Sequence, residues 1–206
     1  MSRGAAGAGA VRWLRAGDSP EGLVEALRQG AVAAVPTESS YGLAVDPLDA
    51  EGVARIFRIK GREGGKPLPV VISGTAALTR LGIDPDSPEV TWAAGRWPAP
   101  LSVLAPLREP IPASAGRTEL AVRVPAHARL RELAEAAGGA LTATSANPSG
   151  EPPYLEPEGV AAWLAGLGVA AVVVDGGELP GGAPSTLVRW REGRIETLRP
   201  GRYELE

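Results

Sequence analysis

The sequence has no cysteine, one histidine and only two lysines among its 206 residues. Without cysteine, the chain can form no disulfide framework, thiolate nucleophile or cysteine-ligated zinc site. The single histidine, His127, argues against a histidine metal cluster and against a Ser-His-Asp triad. A net charge of −3 rules out a strongly basic nucleic-acid binder as a property of the whole chain, although a local basic patch remains compatible with it.

Long apolar runs are also missing. No stretch approaches the length needed to span a bilayer, and residues 1–10 (MSRGAAGAGA) lack the extended apolar region of a signal peptide. We therefore expect residues 1–10 to be a flexible Gly/Ala-rich lead-in and residues 11–206 to form one domain. On the same grounds we expect a cytoplasmic protein with no membrane partner.

Both lysines lie in one short stretch, IKGREGGKPL, in a chain whose other 19 Lys and Arg residues are all arginine. Lys60 and Lys66 flank Arg62, and the glycines between them let the backbone approach a ligand closely. Such a loop suits a polyphosphate, because lysine supplies a mobile point charge and arginine can grip two oxygens. The alternative is that Lys60 and Arg62 interact with the C-terminal dipole of a helix. The stretch is not a Walker loop, since Pro67 follows Lys66.

Hydrophobic periodicity predicts five helices alternating with about seven or eight strands, which is typical of a layered α/β domain. Ser19, Asp49 and Ser87 are the expected starts of three helices. The last two strands read as a hairpin across the turn REG, and this hairpin favours a mixed sheet.

Three loops rich in glycine and small polar residues follow predicted strands. They are PTESSYG (residues 36–42), TSANPSG (residues 144–150) and DGGELPGGAPST (residues 175–186). Ligands of α/β proteins usually bind at strand ends, so these loops could share one ligand-binding face. They could equally be plain connections.

The motifs occur in an order that is specific to one family. The pieces are VPTESSYGLAVDP, RIFRIKGREGGKPLPVVI, RWPAPLSVLAPL, LAVRVPAH, TATSANPSG, DGG, STLVRW and LRPG. This series resembles the YrdC/TsaC family of threonylcarbamoyl-AMP synthases in its single-domain form, over about residues 19–201. Its most specific parts are Lys60-x-Arg62 and Ser145-x-Asn147.

The resemblance implies a three-layer α/β fold: a twisted open mixed sheet of about seven strands, flanked by helices, with a concave ligand cavity. It also implies an enzyme that joins L-threonine, bicarbonate or CO2, and ATP into threonylcarbamoyl-AMP, with release of pyrophosphate. Mg²⁺ is expected to enter with ATP. The product would pass to a separate transferase for the t6A modification of adenosine 37 in tRNAs that read ANN codons, and weak tRNA binding is a further expectation.

The resemblance assigns a role to each candidate site residue. Lys60 and Arg62 are expected to be catalytic through the phosphates. The expected ATP-binding set is Lys60, Arg62, Lys66, Asn147 and Arg199. The expected threonine-binding set is Thr37, Tyr41, Arg123, Ser145 and Ser185, with Arg123 gripping the carboxylate.

Each assignment has a structural alternative. Arg123 could pair with Glu119 instead of a ligand, Ser145 and Asn147 could form an Asx-type turn, and Tyr41 could be ordinary packing. Thr37 and Ser185 could simply bound strands, and Arg199 could be a surface charge. Two other functions also remain open: a non-catalytic binder of double-stranded RNA or tRNA, and a relative that acts on another carbamoyl substrate.

Overall fold

The computed structural model describes residues 10–61 and 65–205, and all statements below concern these residues. They form eleven β-strands, five α-helices and two short 3-10 helices. The strands are β1 Val11–Leu14, β2 Val32–Pro36, β3 Tyr41–Ala44, β4 Val70–Ile72, β5 Leu101–Pro106, β6 Glu119–Arg123, β7 Ala140–Thr142, β8 Thr144–Ser145, β9 Ala171–Val174, β10 Thr186–Arg191 and β11 Arg194–Arg199. The α-helices are α1 Glu21–Arg28, α2 Ala50–Ile59, α3 Pro88–Ala94, α4 Ala128–Ala136 and α5 Pro157–Gly166. The 3-10 helices are Thr75–Leu81 and Pro112–Ser114.

The strands pair into two mixed sheets. The smaller sheet has the order β1-β9-β2-β3-β8, and the larger has the order β11-β10-β5-β6-β4-β7. In the smaller sheet β2 pairs in parallel with β9 and antiparallel with β3. In the larger sheet β5 pairs in parallel with β10 and antiparallel with β6.

The predicted α/β class, the five α-helices, the closing hairpin and the mixed strand directions are confirmed. The number of strands and sheets differs, since the described residues form eleven strands in two sheets rather than about seven in one. One reason is β3, which is only four residues long and follows the polar turn at residues 37–40, so PTESSYG reads as a loop. A second reason is that residues 140–146 (ALTATSA), whose sequence predicts a single strand, are divided between β7 of the larger sheet and β8 of the smaller sheet.

Local sequence explains how α2 begins and ends. The Asp49 carboxylate caps the helix by accepting from the Glu51 backbone N–H at 3.1 Å, as predicted. The helix buries Val53 and Ile56 at a helical spacing and ends at Lys60, its C-cap residue. No helix among the described residues is both long and apolar enough to cross a bilayer.

Apolar side chains from both sheets share one core. Val32 and Leu43 of the smaller sheet belong to the same buried cluster as Leu101, Val103 and Val122 of the larger sheet. Because successive side chains of a strand point to opposite faces, each strand of the larger sheet also presents a second set of residues on its other face. Residues of that second set from β4, β5, β6, β10 and β11 line the cavity described next.

Candidate active site

A cavity of about 480 Å³ is lined by residues of both sheets. The smaller sheet contributes its β2–β3 turn, the start of β3, and β8. The larger sheet contributes β4, β5, β6, β10 and β11. Seven predicted site residues line the cavity: Thr37, Tyr41, Lys66, Arg123, Ser145, Ser185 and Arg199. Asn147 and Lys60 are nearly fully buried instead, and Arg62 lies outside the described residues.

Strand register places Arg123 in the cavity wall. Val103 of β5 pairs with Val122 of β6, and both side chains lie in the core. Ser102 precedes Val103 and Arg123 follows Val122, so alternation turns these two polar side chains together toward the opposite face. Both line the cavity.

Arg199, on β11, lies on the same cavity wall because β10 pairs with β11 on one side and with β5 on the other. Leu187 pairs with Ser102 on one side and with Arg199 on the other. These three residues therefore form a row across three strands, and Arg123 lies on the next strand beyond Ser102. Two guanidinium groups that are 76 positions apart in the sequence are thus brought to one cavity.

The Arg123 guanidinium is held by Glu38. Arg123 Nη1 donates to Glu38 Oε1 at 2.6 Å, and the side chains are only 12% and 13% exposed. The same carboxylate oxygen accepts from the Ala126 backbone N–H at 2.9 Å. Burial by itself would raise the pKa of Glu38, but the attraction of Arg123 and these hydrogen bonds outweigh it, so the pKa lies below its ordinary value.

Arg199 is anchored to Ser185. Its Nη2 donates to the Ser185 carbonyl oxygen at 2.8 Å, and Ser185 Oγ lies 3.0 Å from Ser102 Oγ. Burial, together with repulsion from Arg123, lowers the pKa of Arg199 below its ordinary value. The two guanidinium groups are therefore close enough to influence each other.

Thr37 and Tyr41 shape the turn between β2 and β3. Thr37 Oγ1 donates to the Ser40 carbonyl oxygen at 2.7 Å and so closes the turn. The Tyr41 hydroxyl donates to the Gly177 carbonyl at 2.9 Å and accepts from the Gly176 N–H at 3.0 Å. Burial is the largest cause of the raised pKa of Tyr41. Although Tyr41 lines the cavity, its hydroxyl is committed to the Gly176–Gly177 loop.

The Lys-x-Arg and Ser-x-Asn motifs meet at Lys60. The Lys60 side chain is 1% exposed, and its Nζ donates to Asn147 Oδ1 at 2.9 Å, to the Asn147 carbonyl at 3.1 Å and to the Ser145 carbonyl. Ser145 Oγ donates to the same Oδ1 at 2.7 Å. The composition of the loop predicts a mobile charge here, but the Lys60 ammonium group is held by these acceptors. Its direct contact with phosphate stays a prediction.

The rest of the cationic loop is described in part. Lys66 is exposed and lines the cavity, whereas Arg62 and Glu63 lie outside the described residues. Of the two lysines, Lys66 is the one whose side chain has the freedom expected of a mobile point charge.

Sequence reasoning missed three residues around the cavity. Glu38 had a signal, because it directly follows the candidate Thr37 in the same polar turn. Ser102 had one too, as a lone hydroxyl in an apolar strand. Arg202 donates to the Glu38 carbonyl and, at 3.0 Å, to the Gly181 carbonyl, and no local pattern indicated this. The alternative partner proposed for Arg123 is wrong, because Glu119 pairs with Arg189 at 2.9 Å.

Metal ligands are scarce in the part of the chain that the structure describes. It contains no cluster of three or more His, Asp or Glu side chains that could hold an ion. No described Asp or Glu lines the cavity. The cavity is instead lined by two arginines, Lys66 and several serine and threonine residues, a set that is suited to anionic ligands.

Comparison with known proteins agrees with this chemistry. A model of the Sua5/YciO/YrdC family, described as "Telomere recombination", matches residues 25–201. A threonylcarbamoyl-AMP synthase of Pyrococcus abyssi is 36% identical over 183 residues, which covers 87% of this chain and 53% of the relative. A threonylcarbamoyl-AMP synthase of Thiobacillus denitrificans is 38% identical over 184 residues, which covers 88% of this chain and 95% of the relative.

A solved structure extends the likeness to three dimensions. The crystal structure of P. abyssi Sua5 complexed with L-threonine is similar with a TM-score of 0.80 at 31% identity, over 93% of this chain and 57% of that chain. The chain thus spans about half the length of the Pyrococcus proteins it matches and nearly the whole length of the Thiobacillus relative.

Proposed function

The chain belongs to the Sua5/YciO/YrdC family, and on that premise we propose that it is a threonylcarbamoyl-AMP synthase. The observation that carries this proposal is the pair Arg123 and Arg199 on one cavity wall, among serine and threonine hydroxyl groups. Two relatives that carry this name support it from sequence. The Pyrococcus structure with L-threonine bound supports an amino acid as one ligand of such a cavity.

The proposed reaction has two bond-forming steps. The amine of L-threonine attacks CO2, a C–N bond forms, and loss of a proton leaves a carbamate. A carbamate oxygen then attacks the α-phosphorus of ATP. A P–O bond forms, the bond between the α-phosphorus and its bridging oxygen breaks, and pyrophosphate leaves with the electron pair.

This chemistry needs cations and hydrogen-bond donors more than a nucleophilic side chain. Both reactants of the second step are anions, so the protein must bring like charges together and stabilise the charge on the departing pyrophosphate. The cavity has the groups for this task, since arginine can hold a carboxylate or phosphate through two parallel bonds.

For the amino acid we propose that Arg123 grips the carboxylate. Its Nη1 is bonded to Glu38, and Nη1 is the only nitrogen of this guanidinium that donates a hydrogen bond within residues 10–61 and 65–205. The Nε and Nη2 groups are therefore available to a ligand. Thr37, Ser145 and Ser185 would complete the threonine pocket through hydroxyl or backbone groups, and Tyr41 would line it.

For ATP we propose the set Lys60, Arg62, Lys66, Asn147 and Arg199. Lys66 and Arg199 line the cavity. Lys60 lies beneath it, so a direct contact requires its ammonium group to exchange one of its present acceptors for a phosphate oxygen.

Mg²⁺ is proposed to enter with ATP as the counter-ion of the phosphates. Because no described carboxylate lines the cavity, the ligands of the ion would be mainly phosphate oxygens and water, which is usual for Mg²⁺ on nucleotides. The product is proposed to pass to a separate transferase that modifies adenosine 37 of tRNA. Weak tRNA binding belongs to the same proposal.

The test is pyrophosphate release by the purified protein with ATP, Mg²⁺ and bicarbonate, with and without L-threonine. Threonine-dependent release is expected. Arg123→Ala should raise the KM for threonine about 10–100-fold, the loss typical of a charge-assisted hydrogen bond. Arg194→Ala, a change on an exposed arginine of β11, is the matched control and should leave KM unchanged. Folded protein without threonine-dependent release would overturn the proposal.

A further inference from the structure

Glu38 links the two sheets across the edge of the cavity. It lies in the turn between β2 and β3 of the smaller sheet, and its carboxylate bonds to Arg123 at the end of β6 in the larger sheet. The Ala126 N–H, just before α4, donates to the same oxygen. Both partners are nearly buried, so this ion pair is shielded from solvent and only weakly screened by salt.

The pair constrains where the Arg123 fork can point. A guanidinium is planar, so fixing Nη1 at 2.6 Å on one carboxylate oxygen limits the directions that Nε and Nη2 can take. Arg123 lines the cavity, and its remaining donors are the groups that a ligand can use. Without Glu38, the guanidinium could rotate and would have to be ordered again on each binding event.

The pair also balances charge in the cavity wall. Both guanidinium groups line the cavity; burial is the main cause of the lowered pKa of Arg199, and repulsion from Arg123 adds to it. The Glu38 carboxylate neutralises one of the two cations. It therefore lets the second guanidinium stay close to the first at a smaller electrostatic cost.

We infer that Glu38 is a positioning residue, which orients Arg123 for the carboxylate of the amino-acid substrate and is not itself a ligand of ATP. The inference rests on the proposed function, because it assumes that Arg123 receives that carboxylate. The inference predicts a selective effect. Removing the Glu38 charge should weaken binding of the amino acid and not of ATP, and it should do so through Arg123.

The experiment compares Glu38→Gln with Glu119→Gln. Each change removes one carboxylate charge from a Glu–Arg pair, but the pair of Glu119 with Arg189 lies outside the cavity lining. Glu38→Gln should raise the KM for L-threonine about tenfold or more, with less than about a threefold change in the KM for ATP. Glu119→Gln should leave both constants unchanged.

A double-mutant cycle shows whether Glu38 acts through Arg123. The effect of Glu38→Gln should largely vanish in an Arg123→Lys background, since lysine lacks the fork that Glu38 orients. Glu38→Asp keeps the charge on a shorter arm, and it should recover part of the lost affinity for threonine. An unchanged threonine KM, equal losses for threonine and ATP, or additive effects in the cycle would overturn the inference.

Calorimetry of L-threonine binding without ATP distinguishes failure of the proposed function from failure of the Glu38 inference. A wild-type protein that binds threonine but releases no pyrophosphate would refute the proposed reaction. The Glu38 inference would then stand or fall on the ratio of Kd values between wild type and Glu38→Gln. A wild-type protein that binds no threonine would overturn both.

Discussion

Lys60 and Asn147 are joined by two hydrogen bonds from one ammonium group, to the side-chain carbonyl oxygen at 2.9 Å and to the backbone carbonyl at 3.1 Å. The lysine is the C-cap residue of α2, and the asparagine lies 87 residues further along the chain. The contact fixes the loop after β8 against the end of the helix. The sequence places Lys60 in a cationic loop, but its ammonium group is buried and holds Ser145, a cavity-lining residue, and Asn147 in place.

Replacing Lys60 by methionine should cost stability as well as activity. The change keeps an apolar chain of similar length but leaves buried carbonyl oxygens without their donor, a loss of about 1–3 kcal/mol in the free energy of unfolding. Lys66→Met, on an exposed lysine of the same loop, should change stability by less than about 0.5 kcal/mol. Urea unfolding of both variants checks the difference, and equal losses would contradict the structural role of Lys60.

Gly201→Ala should weaken the anchoring of Arg199. A methyl group there would lie 2.3 Å from the Pro184 carbonyl oxygen and 2.5 Å from the Thr186 nitrogen, so the backbone must move. We expect a loss of roughly 1–3 kcal/mol, as in other overpacked sites, and a higher KM for ATP. In Gly166→Ala, at the end of α5, the added methyl meets no atom within 4 Å, and stability should rise by up to about 1 kcal/mol. Thermal unfolding that ranked the two variants alike would contradict this account.

We expect protonation of His127 to make the free energy of unfolding depend on pH near neutrality. Its Nδ1 accepts from the Leu130 N–H at 3.3 Å as the N-cap of α4. Burial is the main cause that lowers its pKa below the ordinary value of 6.5; Glu38 acts in the opposite direction. As the pH falls below about 6.5, the unfolded chain takes up the proton before the folded protein does, so the free energy of unfolding decreases.

The matched variant is His127→Asn, which keeps an N-cap acceptor but does not titrate. Between about pH 7.5 and 5.5, wild type should lose more unfolding free energy than the variant. Denaturant titrations at both pH values measure this difference. Identical pH dependence in the two proteins would show that the folded and unfolded states bind the proton at His127 equally well.

Part of the cavity could be predicted from local patterns, because Thr37 and Ser185 lie in polar loops next to predicted strands. The role of Arg123, in contrast, comes from the family resemblance and not from its position at the end of a strand. The start of α2 was readable as well, since Asp49 caps the helix through a contact only two residues away, whereas α1 has its N-cap at Pro20, one residue after the predicted Ser19. In these cases the interaction that decides the structure is close in sequence.

The rest depends on contacts between distant segments. Glu38 pairs with Arg123 across 85 positions, whereas the alternative partner considered from the sequence, Glu119, is only four residues from Arg123. The burial of Lys60 likewise depends on carbonyl groups of residues 145 and 147. Whether the strands form one sheet or two depends on non-local pairing, which the period of a single strand does not determine.

The proposed reaction joins threonine, inorganic carbon and AMP in one molecule. Mass spectrometry of rapidly quenched reactions that contain ATP, Mg²⁺, L-threonine and ¹³C-bicarbonate detects that molecule directly. We expect a species that contains threonine, the labelled carbon and AMP, in an amount that follows pyrophosphate release until the species decays. Threonine-dependent consumption of ATP that yields an adenylate without the labelled carbon would contradict it.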